Sequence, residues 1–445
     1  MNRRQFSAFA LSGLARPAEP KKLPNIVWLT AEDMGPQLGC YGYPLVRTPN
    51  LDRLASEGAR FTRGFTTAPV CSPSRSAFNT GMYQTTIGAH HHRSHRGDGY
   101  RLPEGVRLIT DHLRGQGYFT ANVRTAAPGV TGTGKTDFNF AAQKPYDGDD
   151  WSQRRSGQPF FAHVNFRESH KGPAFPEARQ QKELVDPAKV PLPPYYPDHP
   201  VVRDEFANYL DAIDLLDTKI GKVLKRLEEE GLVENTAVFF FGDNGRCLIR
   251  GKQWLYDAGI HVPLMVRWPG GIKPGTVVED PVSSIDLTAT ALWLAGLERP
   301  EKMQGQVMFG PQSKPRDCIF AARDRCDMTV DRIRSVRTRH YKYIRNFMPE
   351  RPYTQHNDYI ESNYPTLAVM KQLHAEGKLN ATQALFMPPR KPEEELYDLL
   401  ADPHEVNNLA GSPQHRGILR ELREKLERWI EETNDQGRFP ESAGG

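Results

Sequence analysis

Three short, nearly uninterrupted apolar runs, Asn25–Thr30, Pro159–Phe166 and Thr236–Phe241, constrain this 445-residue chain more than anything else in it. Each is rich in β-branched and aromatic residues and too short for an ordinary helix. With no regular polar alternation, such a run buries both of its faces, as strands of a parallel sheet do. Helical segments separate them. Thr48–Gly58 opens on a capping residue and a proline, places Leu51, Leu54 and Ala55 at helical spacing, and stops at a glycine. Val106–Gly115 reads the same way, and Asp204–Glu230 carries Leu210, Ile213, Leu216, Ile220, Val223, Leu224 and Leu227 on one apolar stripe. Further strands are expected at Ala59–Thr62, Tyr118–Val123 and Val262–Trp268, and a closing helix over Ser283–Gly296. The alternation predicts an α/β domain over residues 25–315, with a doubly wound, mostly parallel sheet flanked by helices and its site at the carboxyl ends of the strands. Strand-like pieces at Cys318–Ala322, Tyr341–Ile344 and Glu395–Leu399, with an amphipathic helix over Gly417–Thr433, predict a smaller C-terminal α+β subdomain with an antiparallel sheet over 316–445.

The residues after those runs are the ones that carry chemistry. The first delivers Glu32-Asp33 and the third Asp243-Asn244. Adjacent carboxylates are costly unless a cation neutralises them, and a carboxylate with an amide oxygen suits a hard ion such as calcium. A solvated acidic turn is the plainer reading. The second run ends near His170, placed for general acid work near neutral pH or held as a satisfied loop histidine. Between them lies Cys71-Ser72-Pro73-Ser74-Arg75-Ser76-Ala77-Phe78-Asn79-Thr80-Gly81. A thiol, two hydroxyls, a proline and an arginine at the start of a helix outline an oxyanion site, since helix N-termini favour anions.

That undecapeptide resembles the C-x-P-S-R-x-x-x-x-T-G signature of type I sulfatases. The resemblance implies an alkaline phosphatase-like fold and a cysteine, Cys71, oxidised before folding to formylglycine by a dedicated maturation enzyme, with Arg75 steadying the hydrated aldehyde. It implies calcium on Glu32, Asp33, Asp243, Asn244 and residue 71, although Glu32 stands where an aspartate is commonest. Lys135 and Lys252 become sulfate-binding cations and His170 the acid for the leaving group. Lys135-Thr136-Asp137 replaces the usual histidine of the lysine phrase with Asp137. That departure, Glu32-Asp33 and the His90–His92 patch resemble sulfamidase-like members. Three adjacent imidazoles cannot all face one point, so at most one or two, His91 and His92, are expected to touch an anionic substrate, and a solvated loop is the plainer reading. The implied substrate is a sulfated saccharide, N- or O-sulfated. A phosphodiesterase or phosphonate monoester hydrolase of the same superfamily and a non-catalytic glycan- or anion-binding relative are the alternatives.

A rival lies at Gly129–Thr136, which matches the phosphate loop G-x-x-x-x-G-K-[ST] letter for letter. Pro128 and four further residues separate it from the preceding strand, and Asp137–Phe140 make a poor helix start, both contrary to a nucleotide site. Residues 174–203 are proline-rich and read as a surface excursion over the site. The 58 Lys and Arg against 54 Asp and Glu leave +4, too balanced for nucleic acid. No apolar run is long enough to span a membrane. The five cysteines lack metal spacing, and Cys318 with Cys326 is the pair an oxidising compartment would join. Asn2-Arg3-Arg4-Gln5-Phe6 ahead of an apolar stretch resembles a twin-arginine export signal and predicts a periplasmic or secreted protein, with residues 1–24 as leader. Read as a disordered tail, the same segment leaves the protein cytoplasmic.

Overall fold

The computed structural model describes residues 22–94, 98–172 and 174–439. Its strands in chain order are β1 (Asn25–Ala31), β2 (Ala59–Phe65), β3 (Phe119–Val123), β4 (Thr125–Ala127), β5 (Val130–Thr131), β6 (Phe160–Phe166), β7 (Thr236–Gly242), β8 (His261–Arg267), β9 (Thr276–Val278) and β10 (Val282–Ser283). The C-terminal strands are β11 (Cys318–Arg323), β12 (Ile333–Thr338), β13 (Tyr341–Asn346) and β14 (Glu394–Asp398).

The central sheet runs β10-β2-β8-β7-β1-β6-β3, with β9 beside β2. All seven residues of β1, of β6 and of β7 are buried, which is why these runs show no polar alternation. β8 lies antiparallel to both β7 and β2, and the other pairings are parallel. Register then sets the site. Ala31 pairs with Phe166 on one side and Gly242 on the other, so the residues that follow all three strands emerge together at one edge.

Side chains of β1 alternate between two cores. Val27 and Leu29 meet the stripe of the long helix Pro200–Glu229, including Leu210, Ile213 and Leu216. Ile26 and Trp28 face the other layer, where the Trp28 ring meets Phe161 at 5.0 Å and Phe241 at 5.5 Å, both edge-on. The helix Cys71–Thr80 packs on that second face, and all ten of its residues are buried. Pro73 is tolerated because it sits in the first turn, where its missing N–H had no partner to lose. Gly81, in the left-handed region at φ 69°, ends it.

The second sheet, β11-β12-β13-β14, is antiparallel and covered by the helix Arg416–Glu432. Trp429 of that helix stacks on Phe320 at 5.0 Å and meets Tyr83 of the first layer edge-on at 5.1 Å. The Ala322 N–H donates to the Thr67 carbonyl at 2.9 Å, so the C-terminal sheet docks beside the loop that leads to Cys71.

Several expectations are corrected. Residues 174–203 are not a surface excursion: Phe175, Ala178, Val185, Val190, Tyr195 and Tyr196 are buried in the main core, and a short helix spans Ala174–Ala178. The prolines shape a chain whose apolar side chains still have a core to enter. The helix expected from Asp204 begins at Pro200, with the His199 side chain accepting from the Val201 N–H. Gly129–Thr136 forms no phosphate loop. Val130 and Thr131 belong to the β4–β5 hairpin, and no helix follows Lys135. Cys318 and Cys326 are both free thiols. No helix among the described residues is long and apolar enough to cross a membrane. The expected twin-arginine segment lies outside the described residues.

Candidate active site

At the shared strand edge, the β1 turn places Asp33 in the left-handed region at φ 53°. Its N–H donates to Asp243 Oδ1 at 2.9 Å, locking the β1 and β7 ends together. Asp33 Oδ1 accepts from Asn244 Nδ2 at 3.0 Å, and Oδ2 accepts from Lys252 Nζ at 2.7 Å. Burial alone would raise the Asp33 pKa, but Lys252, His170 and these hydrogen bonds outweigh it and hold the carboxyl well below the usual aspartate range. Glu32 behaves likewise: burial opposes ionisation, and Lys135, 2.7 Å from its Oε2, with Arg75 more than reverses that. Asp243 goes the other way, with burial outweighing Arg75 and raising its pKa.

Cys71 opens its helix fully buried, with Sγ 3.6 Å from Asp33 Oδ1. One ligating atom each from Cys71, Asp33 and His170 lie within 4.8 Å of one another. Burial pushes the thiol up to about 12, with Asp33 and Asp243 adding to the rise against Lys135 and Lys252. At neutral pH this sulfur is therefore a protonated thiol and a poor nucleophile.

One helical turn on, Arg75 lies beneath Cys71. Its Nε donates to Asp243 Oδ2 at 2.9 Å and Nη1 to Asn165 Oδ1 at 2.7 Å, while the buried Nη2 has no hydrogen-bond partner among the described residues. Lys135 Nζ also lies 3.6 Å from Asp137 Oδ2. Lys252 Nζ is 3.3 Å from His170 Nε2. Burial, and then Lys252, keeps the His170 pKa below the ordinary histidine value.

The expected residues Glu32, Asp33, Cys71, Arg75, Lys135, His170, Asp243, Asn244 and Lys252 thus form one connected cluster. His91 and His92 have described partners outside that cluster. His92 Nδ1 bonds Asp327 Oδ1 at 2.8 Å, and the Arg325 N–H donates to His91 Nδ1 at 3.3 Å, so both rings brace the turn after β11.

Three residues escaped the sequence reading. Asn165 anchors Arg75, and an amide inside a wholly buried strand was the signal available for it. Arg93 lies half exposed, its N–H donating to Ser72 Oγ at 2.9 Å and its Nε 3.6 Å from Asp137 Oδ1. Tyr359, from the C-terminal helix Asp358–Asn363, sets its ring 5.2 Å from Lys252 Nζ and 6.2 Å from the His170 ring. Nothing local in the sequence marks it.

The donor set suits a hard cation. Three buried carboxylates and an amide stand at the ends of β1 and β7, with Asp33 bonded to both Asp243 and Asn244, and the buried Oδ1 of Asn244 has no hydrogen-bond partner among the described residues. Charge is balanced as the cluster stands: Glu32, Asp33, Asp243 and Asp137 face Arg75, Lys135, Lys252 and Arg93. A divalent cation arriving with a dianion preserves that balance.

A family model described as sulfatase matches residues 24–142 and 145–297, and one for the C-terminal part of N-sulphoglucosamine sulphohydrolase matches 248–356. An ulvan-active sulfatase of Formosa agariphila is 36% identical over 94% of this chain and 76% of its own length. Human N-sulphoglucosamine sulphohydrolase is 27% identical over 95% of this chain and 92% of its own. A solved structure with its substrate D-glucosamine-2-N,6-O-disulfate superposes with a TM-score of 0.67 at 18% identity, covering 93% and 99% of the two chains. A phosphonate monoester hydrolase of Agrobacterium radiobacter gives 0.68 at 18% identity, covering 95% and 98%. At such identities the two structures establish the alkaline phosphatase-like fold and no more. The family matches and the 36% relative, together with the Cys71 cluster, establish that this chain belongs to the sulfatase family, hydrolases of sulfuric esters and sulfamates.

Proposed function

We propose that this protein removes sulfate from a sulfated saccharide, with Cys71 converted to formylglycine and calcium held by Glu32, Asp33, Asp243 and Asn244. The observation that carries this reading is the position of Cys71: 3.6 Å from Asp33, buried, and flanked by Arg75, Lys135 and Lys252. A thiol pushed up to about 12 is inert as a nucleophile and is also closed to any maturation enzyme in the folded protein. Conversion before folding removes both obstacles. Formylglycine at position 71 would supply a hydrated aldehyde, with one hydroxyl to displace the leaving oxygen or nitrogen from sulfur and a second that, on losing its proton, would become the carbonyl as the carbon–oxygen bond to sulfate breaks. A hard dication held by Glu32, Asp33, Asp243 and Asn244 would supply Lewis-acid polarisation of the sulfuryl oxygens.

The chain's own residues do the rest. Arg75 is held by Asp243 and Asn165 on two nitrogens, leaving Nη2 to donate to residue 71 or to a sulfuryl oxygen. Lys135 and Lys252 stand ready to exchange carboxylate partners for the charge that grows on the sulfuryl group. His170 is neutral in the free protein because burial and Lys252 disfavour its charge. A bound dianion reverses that preference, loading the ring with the proton that the departing group then takes. Tyr359 forms a wall beside Lys252 and His170, where the sugar carrying the sulfate has to lie.

The saccharide class is supported by the relatives, one active on ulvan and one named for N-sulphoglucosamine. The test is mass spectrometry of the Cys71 peptide after co-expression with a formylglycine-generating enzyme, with assays on ulvan and heparan fragments and on 4-nitrophenyl sulfate and phosphate. A peptide about 18 Da lighter than the thiol form, with sulfate esters or sulfamates preferred over phosphate, is expected. An intact thiol in active protein, or a preference for the phosphate ester, overturns the reading.

A further inference from the structure

The loop that carries Lys252 has a second face. Gly245–Lys252 folds back so that the Lys252 N–H donates to the Arg246 carbonyl at 2.9 Å and the Arg246 N–H to the Ala258 carbonyl at 3.2 Å. Lys252 points to Asp33. Arg246 and Arg250 instead line a separate cavity of about 170 Å³, closed by Gln37, Tyr195 and Tyr256 and by His404 of the C-terminal part.

Both arginines are more than nine-tenths buried, at 8% and 3% exposed. Neither has a carboxylate within ion-pair distance among the described residues. Arg246 donates from Nη2 to the Tyr195 hydroxyl, and Arg250 donates from Nη2 to the Glu405 carbonyl. The Nε of Arg246 and the Nε and Nη1 of Arg250 have no hydrogen-bond partner among the described residues. Two carboxylates also line the cavity, but both are committed. Asp257 pairs with Arg337 at 3.0 Å and Lys342 at 2.7 Å, and Glu405 with Lys342 at 2.8 Å while accepting the Asp257 N–H at 2.6 Å. Glu395, behind Tyr256, is taken by the hydroxyls of Tyr256, Tyr353 and Tyr397.

The backbone is strained at the same place. Arg250 and Glu405 both sit in the left-handed region, at φ 67° and 56°. Non-glycine residues are held there only when the surroundings demand it, and such residues cluster at ligand sites. Glu405 attracts Arg250 from beyond ion-pair distance and Arg246 lies 5.5 Å from the Phe206 ring centroid, but three buried guanidinium nitrogens still lack a hydrogen-bond acceptor, which is costly without a further anion. The Arg250 guanidinium lies 4.7 Å from the Tyr195 ring centroid and 4.0 Å from that of Tyr256, contacts that orient it but add no negative charge.

We infer that this cavity is a second anion site, which takes one tetrahedral oxyanion of the sulfate or phosphate type between Arg246 and Arg250, on the reverse side of the Lys252 loop. The volume equals that of about five or six waters, enough for such an ion or for a single ester group reaching in. The guanidinium forks match its oxygens.

Crystals of the full chain grown without sulfate or phosphate and soaked in millimolar selenate provide the first readout, from anomalous diffraction at the selenium edge. A peak within hydrogen-bond distance of both arginines, separate from the one beside residue 71, is expected. A parallel soak of a Cys71→Ala protein with a sulfated saccharide tells the sources apart, since an ester-borne group brings sugar density to the cavity mouth and a free ion does not.

The solution readout is thermal stabilisation by sodium sulfate against chloride at equal ionic strength, measured in a Lys135→Ala background that weakens the active-site anion site. A rise of a few degrees is expected, retained in Lys135→Ala and lost when Ala258→Leu fills the cavity. Arg246→Lys keeps the charge and folds more safely, and it should weaken the stabilising midpoint about 10-fold. Selenate beside residue 71 with none in the cavity overturns the inference. So does an adventitious ion only, seen in the crystal without any sulfate stabilisation that Ala258→Leu or Arg246→Lys alters. Neither result touches the sulfatase reading, because no arm relies on turnover.

Discussion

Lys252 Nζ stands 2.7 Å from Asp33 Oδ2, with both side chains buried to within 4% of full enclosure. The ammonium ion occupies the face of the carboxylate that a divalent cation and a sulfate group would contest, so the pair is a poised arrangement rather than a static brace. Its partner pair, Lys135 with Glu32 at 2.7 Å, repeats the arrangement from the opposite side of the cluster. Each lysine has a carboxylate to leave and an oxyanion to gain.

Removing Lys252 therefore has two separable consequences. Lys252→Ala should lower kcat by about 10²–10³ through loss of a donor to the developing charge. It should also destabilise the protein by about 3 kcal/mol, because Asp33 is left as a buried, uncompensated carboxylate. Lys252→Arg should restore most of the stability and only part of the rate, since a planar fork cannot take the place of a point charge. Urea denaturation beside steady-state kinetics separates the two effects, and equal losses in Lys252→Arg would contradict them.

His170 is expected to matter in proportion to how badly the leaving group needs a proton. His170→Gln should reduce kcat on a sulfated saccharide by about 10²–10³, whereas 4-nitrophenyl sulfate, whose leaving phenolate is stable, should lose less than about 10-fold. With the ring's pKa lowered by burial and Lys252, the free protein should titrate this histidine below the ordinary value. A histidine NMR titration in the absence of ligand checks that directly.

Much of this architecture was legible because burial on both faces writes itself into composition. The runs that became β1, β6 and β7 could be nothing else, and their carboxyl ends announced the site. The Cys71 segment was legible because its residues are constrained chemically as well as structurally. What stayed hidden has a common cause: it depends on contacts distant in sequence. Tyr359 reaches Lys252 across more than a hundred residues, and its helix is held there through tertiary contacts of the next one, where the Thr366 N–H donates to Glu205 of the long helix at 2.9 Å. His91 and His92 carry partners that nothing nearby in the sequence shows, Asp327 for His92 and the Arg325 N–H for His91. The prolines of 174–203 suggested exposure, although proline restricts the backbone without deciding whether its neighbours are buried.

Acid should loosen the joint between the two sheets. Asp257 pairs with Arg337 and Lys342 across it, and although burial would raise its pKa, those two cations hold it far below the usual aspartate range. A carboxyl with a depressed folded pKa contributes stability that is fully present above its unfolded value and is lost as pH falls towards the folded one. The urea midpoint should thus drop between about pH 5 and pH 2, and Asp257→Asn should flatten that drop while costing about 3 kcal/mol at pH 7. An unchanged pH profile in Asp257→Asn would place the acid sensitivity elsewhere.

Chelation should act on the same cluster from within. Without a dication, the permanent cations paired with Glu32, Asp33 and Asp243 among the described residues are Lys135, Lys252 and Arg75. Activity should vanish on treatment with EDTA and return with calcium, and calcium at 100 times its Kd should stabilise the fold by about 2.7 kcal/mol. In Asn244→Ala the calcium concentration for half-activation should rise about 10-fold or more, since a neutral ligand is lost together with the hydrogen bond that orients Asp33. Isothermal titration with calcium on the chelated protein measures this without relying on turnover.

Tyr359 offers the sharpest division between chemistry and substrate. Its ring lies beside Lys252 and His170 but comes from the C-terminal part, so it is placed to touch the sugar rather than the sulfuryl group. Burial, countered in part by Lys252, keeps the phenol un-ionised at any pH used for assay, which excludes a role as a base. Tyr359→Phe retains the ring and should leave kcat/KM on 4-nitrophenyl sulfate within about 3-fold, whereas Tyr359→Ala should cost about 1–2 kcal/mol of transition-state binding on the saccharide, roughly 5- to 30-fold. The small aryl substrate lacks the sugar that would rest on this wall, so its kcat/KM should change much less in Tyr359→Ala. Equal losses on both substrates would instead assign Tyr359 to positioning Lys252, and the Lys252→Ala/Tyr359→Ala double variant would then show no further loss.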